Sequence, residues 1–221
     1  MEEEDMITIV CALRSGGDYS HVYVDKLHSA LRQASDQPFR FICITDTPKS
    51  PVEYEILLRP ELFPGWWSKL AAFRIPGPVV YFDLDTMIIG SIEPLLVSVE
   101  LAEVMKEEKI WMLEGFRWRR GVKDKGRWAS GIMAWSGDWS WIADSFRHDP
   151  QEAMRSEWDQ IYLQELLLNA EAEPLAIQDE IGVLSYKWHY VNDLERKGSE
   201  LDPAVVCFHG KPRPHEIGWI L

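Results

Sequence analysis

The order of hydrophobic and polar positions along the chain predicts alternating strands and helices. Apolar runs of strand length fall at residues 6–13, 39–45, 53–58, 79–82, 110–113, 131–135 and 204–208. Segments with helical period lie between several of them, at residues 19–34, 64–73 and 139–146. This alternation is typical of an α/β fold in which a mostly parallel sheet carries helices on its faces. We expect a single domain over residues 1–221, because no repeat or low-complexity linker divides the chain.

A further helix is predicted to begin near Ser156. Asp159 follows Ser156 at the spacing of a capping box, with Asp in place of the usual Glu or Gln. In such a box the first side chain accepts a hydrogen bond from a free backbone N–H of the first helical turn, so Ser156 would mark the helix start.

The net charge narrows the classes of partner. The 221 residues include 36 Asp and Glu against 23 Lys and Arg, which gives a formal net charge of -13. This charge repels phosphate backbones and anionic lipid surfaces, so we expect no nucleic-acid partner. An acidic protein that binds a diphosphate needs a local cation, either a divalent metal ion or a few directed Lys and Arg side chains.

The cysteines and the first residues favour a cytoplasmic protein. Cys11, Cys43 and Cys207 each lie in an apolar run, which is typical of buried thiols rather than of a disulfide framework or a zinc site. The first residues, MEEED, lack the basic start and apolar stretch of a secretory signal. No run reaches the ~18 apolar residues of a membrane span.

A pair of carboxylates at the end of a buried strand is the strongest chemical signal. The apolar run 79–82 leads directly into Asp83 and Asp85. In an extended backbone this spacing directs both side chains to the same face. Two hard oxygen ligands facing one point suit Mg²⁺ or Mn²⁺, and such an ion bridges to a diphosphate. A turn with two solvated aspartates is the alternative interpretation.

A second signal follows the last predicted strand. His209 is followed by Gly210, which permits close backbone approach, and by Lys211, which can contact phosphate as a point charge. Asp83, Asp85 and His209 together would supply two oxygen ligands and one nitrogen ligand to a metal. A histidine with a structural role is the alternative.

Five short segments occur in an order known from one enzyme family. They are Trp67-Ser68-Lys69-Leu70, Asp83-Leu84-Asp85, Ser130-Gly131-Ile132-Met133-Ala134-Trp135, Asp159-Gln160 and His209-Gly210-Lys211-Pro212. The series spans nearly the whole chain and resembles GT-A glycosyltransferases similar to glycosyltransferase family 8, the group that contains glycogenin and bacterial galactosyltransferases. The tail departs from the family form, which spaces the histidine further from its Gly and Lys-Pro, so the resemblance indicates a related branch.

The resemblance implies a GT-A fold and an enzyme that moves a sugar from a nucleotide-diphosphate sugar, a UDP-sugar in particular, to an acceptor such as a saccharide. It implies that Asp83, Asp85 and His209 hold Mn²⁺ or Mg²⁺, with Asp83 also near the ribose. Lys211, beside Gly210, would contact the donor diphosphate.

The same resemblance implies roles for residues around the donor sugar. Lys69 would face the sugar or the acidic cluster, and Ser130 and Gly131 would let the sugar lie against the backbone. Asp159 would lie near the sugar hydroxyls. Gln160 would lie on the face opposite the leaving diphosphate, which implies retention of configuration. A solvated helix lysine and a simple turn glycine are the alternatives for Lys69 and Gly131.

The nucleobase site would lie at the end of the first strand. Ala12 is close to that end, and Asp18 and Tyr19 follow a turn at residues 15–17. The resemblance implies that Tyr19 stacks on the base and that Asp18 accepts a hydrogen bond from it. A helix cap is the alternative role for Asp18.

A basic segment interrupts the acidic chain. Residues 116–128 contain Arg117, Arg119, Arg120, Lys123, Lys125 and Arg127 against Asp124. Such a loop could close over a diphosphate or bind an anionic acceptor, or it could be a solvated face.

Several tryptophans also have two interpretations. They are Trp66, Trp67, Trp135, Trp139 and Trp141. They could form a sugar-stacking rim or belong to the core.

Other functions fit parts of the pattern. A haloacid-dehalogenase-type phosphatase also places Asp-x-Asp after an apolar strand, but its motif normally opens the domain and a later Asp-Asp pair is missing. A sugar-nucleotide pyrophosphorylase would need a glycine-rich signature that residues 15–17 match only in part. A non-catalytic nucleotide-sugar sensor would keep the same binding residues, and a test for donor hydrolysis separates it from an enzyme.

Overall fold

Strands and helices alternate along the computed structural model, which describes residues 6–49, 52–59, 63–116, 127–191 and 202–218. The strands are β1 (Thr8–Leu13), β2 (Arg40–Thr45), β3 (Glu55–Leu58), β4 (Val79–Phe82), β5 (Thr86–Ile88), β6 (Lys109–Glu114), β7 (Trp128–Ser136), β8 (Leu175–Ala176), β9 (Gly182–Ser185) and β10 (Pro203–Cys207). The α-helices are α1 (His21–Ala34), α2 (Glu93–Val104), α3 (Ser140–His148), α4 (Pro150–Ala153) and α5 (Asp159–Asn169). Within the described ranges, no helix has the length and apolar character needed to cross a membrane.

Shorter helical segments complete these elements. Gly65–Arg74, Ile177–Asp179 and Pro214–Ile217 are 3₁₀ helices, and Tyr186–Val191 is a π-helical turn. The predicted helical stretch at 64–73 is thus a 3₁₀ helix, in which side chains three residues apart align along one face.

The strands form two sheets. The larger sheet has the order β3-β2-β1-β4-β7-β6-β8. Strands β3, β2, β1 and β4 pair in parallel, and β8 is parallel to β6, whereas β7 is antiparallel to both of its neighbours. In the smaller sheet β10 lies between β5, which is antiparallel to it, and β9, which is parallel. The predicted α/β class with a mostly parallel sheet is confirmed.

Both faces of the large sheet are covered. Along β1, Ile9 and Cys11 face the layer that contains α1 and α2, and Val10 faces the layer with α3, α5 and Gly65–Arg74. A strand buried on both faces has apolar residues at consecutive positions, which accounts for the continuous apolar runs in the sequence. Cys11, Cys43 and Cys207 are buried free thiols, as predicted.

Pairing of β5 with β10 joins two distant parts of the sequence. Cys207 lies opposite Thr86 in the antiparallel ladder. Phe208 then donates its backbone N–H to the Asp85 carbonyl oxygen at 3.3 Å. The carboxylate pair and the C-terminal histidine segment are therefore neighbours in the fold.

The helix predicted to begin near Ser156 is present, but the capping role of Ser156 is wrong. Helix α5 begins at Asp159 and has Trp158 as its N-cap. The capping side chain upstream is Asp149, which accepts the Glu152 N–H at 3.0 Å at the start of α4. The capping-box spacing is short and common, so it does not by itself determine where a helix begins.

Candidate active site

The two strand-end aspartates lie in a turn between β4 and β5. The Thr86 N–H donates to the Asp83 carbonyl at 3.1 Å, which closes a turn over residues 83–86. The extended backbone assumed from the sequence is therefore wrong, and the two carboxylates meet different partners. Leu84, between them, is buried in the core and anchors the turn.

Asp83 belongs to a buried network around Lys69. Lys69 Nζ lies 2.8 Å from Asp83 Oδ2 and 3.3 Å from Asp159 Oδ2. Ser130 Oγ donates to Asp159 Oδ2 at 2.5 Å and accepts from Lys69 Nζ at 3.2 Å. Tyr81 donates its hydroxyl to Asp83 Oδ1 at 2.8 Å. Four residues predicted separately thus form one network, with Tyr81 as an addition that the sequence did not indicate.

Burial and the neighbouring charges together shift the pKa values of Asp83 and Lys69. Desolvation raises the pKa of Asp83 to about 6, although the Lys69 ammonium acts in the opposite direction. Burial also disfavours the Lys69 ammonium, but the Asp159 and Asp83 carboxylates outweigh this effect and raise the pKa of Lys69. Lys69 is therefore charged at neutral pH. The interpretation of Lys69 as a solvated helix lysine is wrong, because it is 5% exposed.

Asp85 belongs to a second group, the tail cluster of Asp18, Tyr19, Asp85 and Arg213. Arg213 Nη1 lies 3.2 Å from Asp85 Oδ2, and Arg213 Nε lies 3.2 Å from Asp18 Oδ2. Tyr19 donates its hydroxyl to Asp85 Oδ2 at 3.2 Å, and the Arg213 guanidinium lies over the Tyr19 ring at 4.9 Å from its centroid. The tail cluster links the predicted nucleobase residues to the predicted metal ligand.

Arg213 is a site residue that sequence reasoning missed. The sequence feature that could have indicated Arg213 is its position two residues beyond Lys211 in the proline-rich tail. The structure also corrects the cap interpretation of Asp18, because Ser20 is the N-cap of α1. Desolvation and the Asp85 carboxylate raise the pKa of Tyr19, so its hydroxyl remains a hydrogen-bond donor at neutral pH.

His209 lies beside the turn that contains Asp85. His209 and Gly210 have φ angles of 51° and 95°, a left-handed stretch that Gly210 adopts without strain and that redirects the chain after β10. His209 as a residue is exposed, and its ring lies 5.2 Å from the Phe116 ring, centroid to centroid. Desolvation by the surrounding protein lowers the pKa of His209, which favours the neutral imidazole that binds metals.

Asp83, Asp85 and His209 fit a hard divalent ion by donor type. In the part of the chain that the structure describes, no group of three or more His, Cys, Asp or Glu side chains has metal-site geometry. Instead, Lys69 contacts Asp83 and Arg213 contacts Asp85. The three-residue metal set therefore stays a prediction, supported by its chemistry and by the β5–β10 pairing.

Gly131 leaves space next to Asp83. Its carbonyl accepts the Asp83 N–H at 2.8 Å. A Cβ at Gly131 would lie 3.7 Å from Asp83 Oδ2 and 3.6 Å from a Leu113 methyl carbon, and the backbone there does not require glycine. The absent side chain therefore keeps the surface beside the carboxylate open, which is consistent with the predicted sugar position.

Three further predicted residues lie outside the buried network and the tail cluster. Gln160 is half-buried in the first turn of α5, and Ala12 is half-buried in β1. Lys211 is exposed, with its ammonium 3.8 Å from Glu216 Oε1. Their contacts with a donor stay predictions.

The five tryptophans considered as a rim separate into two groups. Trp67, Trp135 and Trp139 are buried, and Trp141 packs against the same core cluster. The core interpretation is correct for them, whereas Trp66 is 53% exposed.

Most of the basic segment lies outside the described residues, including Arg117, Arg119, Arg120, Lys123 and Lys125. Arg127 is described and lies 2.8 Å from Glu114 Oε1 and 2.9 Å from Glu173 Oε1. Arg127 therefore has local acidic partners at the end of the segment.

The architecture is that of GT-A glycosyltransferases, as expected. The glycosyltransferase GlyE of Streptococcus pneumoniae superposes with a TM-score of 0.62 at 11% identity, over 94% of this chain and 55% of GlyE. The galactosyltransferase LgtC, solved with donor and acceptor sugar analogues, gives a TM-score of 0.56 at 16% identity, over 94% of this chain and 88% of LgtC. Mouse xyloside xylosyltransferase 1 gives 0.52 at 10% identity, over 92% of this chain and 97% of that one.

These likenesses show the fold, since sequence identity is low throughout. The chain spans about half the length of GlyE. No protein-family model matches the sequence, and no curated protein matches it.

Proposed function

We propose that this chain is a metal-dependent glycosyltransferase that moves a sugar from a nucleotide-diphosphate sugar, a UDP-sugar in particular, to an acceptor such as a saccharide. The observation that carries the proposal is the buried network of Lys69, Asp83, Asp159 and Ser130 in a GT-A fold. Asp83 follows β4, and open α/β sheets bind ligands at the carboxyl ends of their strands.

Asp83, Asp85 and His209 would hold Mn²⁺ or Mg²⁺, which supplies charge neutralisation for the leaving diphosphate. Asp85 has to exchange its contact with Arg213 for this role. Arg213 would then be available for the diphosphate, for which its planar group of donors is suited. Lys211 would add a second positive charge on the same tail.

Asp159 and Gln160 would act at the sugar. Asp159 is held by Ser130 and Lys69, so its carboxylate has a fixed position from which to bind sugar hydroxyls. Gln160 follows it in the first turn of α5. A structure of LgtC with glutamine changed to glutamate is described as an active site mutant, which supports a catalytic role for a glutamine such as Gln160. Retention of configuration is part of the proposal.

The phosphatase alternative lacks support. The solved structures that superpose on this chain are glycosyltransferases, and the Asp83–Asp85 pair follows the fourth strand of the large sheet instead of opening the domain. A transferase hydrolyses its donor slowly when no acceptor is present, whereas a nucleotide-sugar sensor does not.

Two measurements test the proposal. Calorimetry measures the binding of UDP, UDP-glucose and UDP-galactose with and without Mn²⁺, and a second assay measures donor hydrolysis. We expect binding that depends on Mn²⁺ and is lost in Asp85→Asn, because the change removes a charged ligand. Asp144→Asn, an exposed aspartate on α3, is the matched control and should bind normally. Equal affinity of the wild type and Asp85→Asn in saturating Mn²⁺ would contradict the metal site.

A further inference from the structure

Two tryptophans form an exposed pair on the surface. Trp66 is 53% exposed and Trp158 is 39% exposed, and their ring centroids are 5.5 Å apart with planes at 39°. The adjacent Trp67 is 5% exposed and stacks on Phe146 in the core. The fold therefore buries one of two consecutive indoles and leaves the other in water next to a third. Two exposed indoles in contact offer a flat, rigid apolar surface to a ligand.

Each member of this tryptophan pair is connected to the buried network. Trp66 precedes Lys69 by three residues, one turn, in the 3₁₀ helix Gly65–Arg74. Trp158 directly precedes Asp159 and is the N-cap of α5. Lys69 and Asp159 are 3.3 Å apart, so the ion pair that joins the two elements also brings the two indoles together.

Exposure to solvent distinguishes the tryptophan pair from the buried network. Asp159 is 6% exposed and faces Ser130 and Lys69, whereas Trp158, one residue earlier, faces solvent. The predicted donor sugar position is beside Gly131 and Asp83, next to the buried network. The tryptophan pair adjoins the same network in sequence but is exposed, so it is open to a second substrate.

We propose that Trp66 and Trp158 form a subsite for the acceptor, and that this acceptor is a neutral saccharide. The inference rests on the proposed transferase function. Indoles are rigid, amphipathic surfaces that lose little conformational entropy on binding, and the C–H face of a hexose packs against such rings. The chain has a net charge of -13, so a neutral ring is favoured over an anionic ligand.

The test uses Trp66→Ala and Trp158→Ala, with Leu168→Ala as a matched control. Leu168 is 74% exposed and lies near the other end of α5, so its removal also deletes exposed apolar surface. The probes are methyl glycosides of glucose, galactose and mannose, together with maltose and lactose. Their binding is measured by saturation-transfer NMR in the presence of UDP and Mn²⁺. UDP affinity is measured separately by calorimetry, and circular dichroism verifies folding.

We expect the wild type and Leu168→Ala to bind at least one probe alike, and each tryptophan variant to bind it about 3- to 10-fold more weakly. UDP affinity should be equal in all four proteins. Unchanged glycoside binding in both tryptophan variants, or no glycoside binding by the wild type at millimolar concentration, would overturn the subsite. A loss of UDP-glucose or UDP-galactose affinity beyond that of UDP would place the donor sugar on the pair and overturn the acceptor assignment.

Failure of the proposed function has a different signature. A wild-type protein that binds glycosides through the tryptophan pair but binds neither UDP nor a UDP-sugar would refute the transferase and leave the saccharide subsite supported.

Discussion

The buried network and the tail cluster both place one cation between two carboxylates, but they differ in access to water. In the buried network the side chains of Lys69, Asp159 and Asp83 are 6%, 8% and 28% exposed, whereas in the tail cluster those of Arg213, Asp85 and Asp18 are 21%, 16% and 53% exposed. Loss of Lys69 leaves the Asp159 charge where water hardly reaches, whereas loss of Arg213 lets water take its place at Asp18. The comparison indicates a fixed frame on one side of the site and exchangeable contacts on the other.

The largest expected effect is on the fixed frame. Lys69→Met should lower the free energy of unfolding by about 3–5 kcal/mol, because it leaves the buried Asp159 carboxylate and the partly buried Asp83 carboxylate without a positive partner. Urea unfolding followed by circular dichroism measures it. Lys109→Met, which removes an exposed partner of Glu107, is the control and should change stability little. A loss for Lys69→Met as small as that of the control would remove the distinction between the two regions.

The next largest effect is on Mn²⁺ affinity, through the proposed metal ligand His209. His209→Ala keeps β10 intact and deletes the proposed nitrogen ligand, so Mn²⁺ affinity in the presence of UDP should fall ~10-fold or more, by comparison with the loss that even outer-shell changes cause at metal sites. A Mn²⁺ titration measures it, with the exposed His148→Ala on α3 as the control. An identical titration curve for His209→Ala and the wild type would assign His209 a structural role.

The smallest expected effect is the loss of stability when the tail cluster is disrupted. Arg213→Ala should lower the free energy of unfolding by only about 0.2–1 kcal/mol, since its partners regain water when the guanidinium is removed. The same urea titration measures this change. Arg213→Lys keeps the positive charge, so its free energy of unfolding shows whether charge alone accounts for the loss in Arg213→Ala. A loss close to that of Lys69→Met would show that the tail cluster is also part of the fixed frame.

The sequence predicted the central strands well because each is a continuous apolar run between polar breaks. Helix α2 was not predicted, and its composition explains why. Val97, Leu101 and Val104 are more than half exposed, so apolar residues lie on its solvent side as well as on its buried side and obscure the helical period.

The site was predicted residue by residue but not as an arrangement. Asp83 was predicted from its place at the end of an apolar strand, and Lys69, Ser130 and Asp159 came from the family resemblance. Their mutual contacts appear only in the fold. The spacing of Asp83 and Asp85 does not distinguish an extended strand from a turn. Arg213 was missed because its contact with Asp85 depends on how β10 aligns with β5.

That alignment has a consequence for how the sequence can vary. Side chains alternate along a strand, so a slip of one residue between β10 and β5 would move every side chain of β10 to the opposite face. Cys207 would no longer lie opposite Thr86, and His209 would leave its place beside Asp85. Substitutions within β10 that preserve its apolar character should therefore be tolerated. We expect that a single inserted or deleted residue between Ala204 and Phe208 would separate the histidine from the acidic turn.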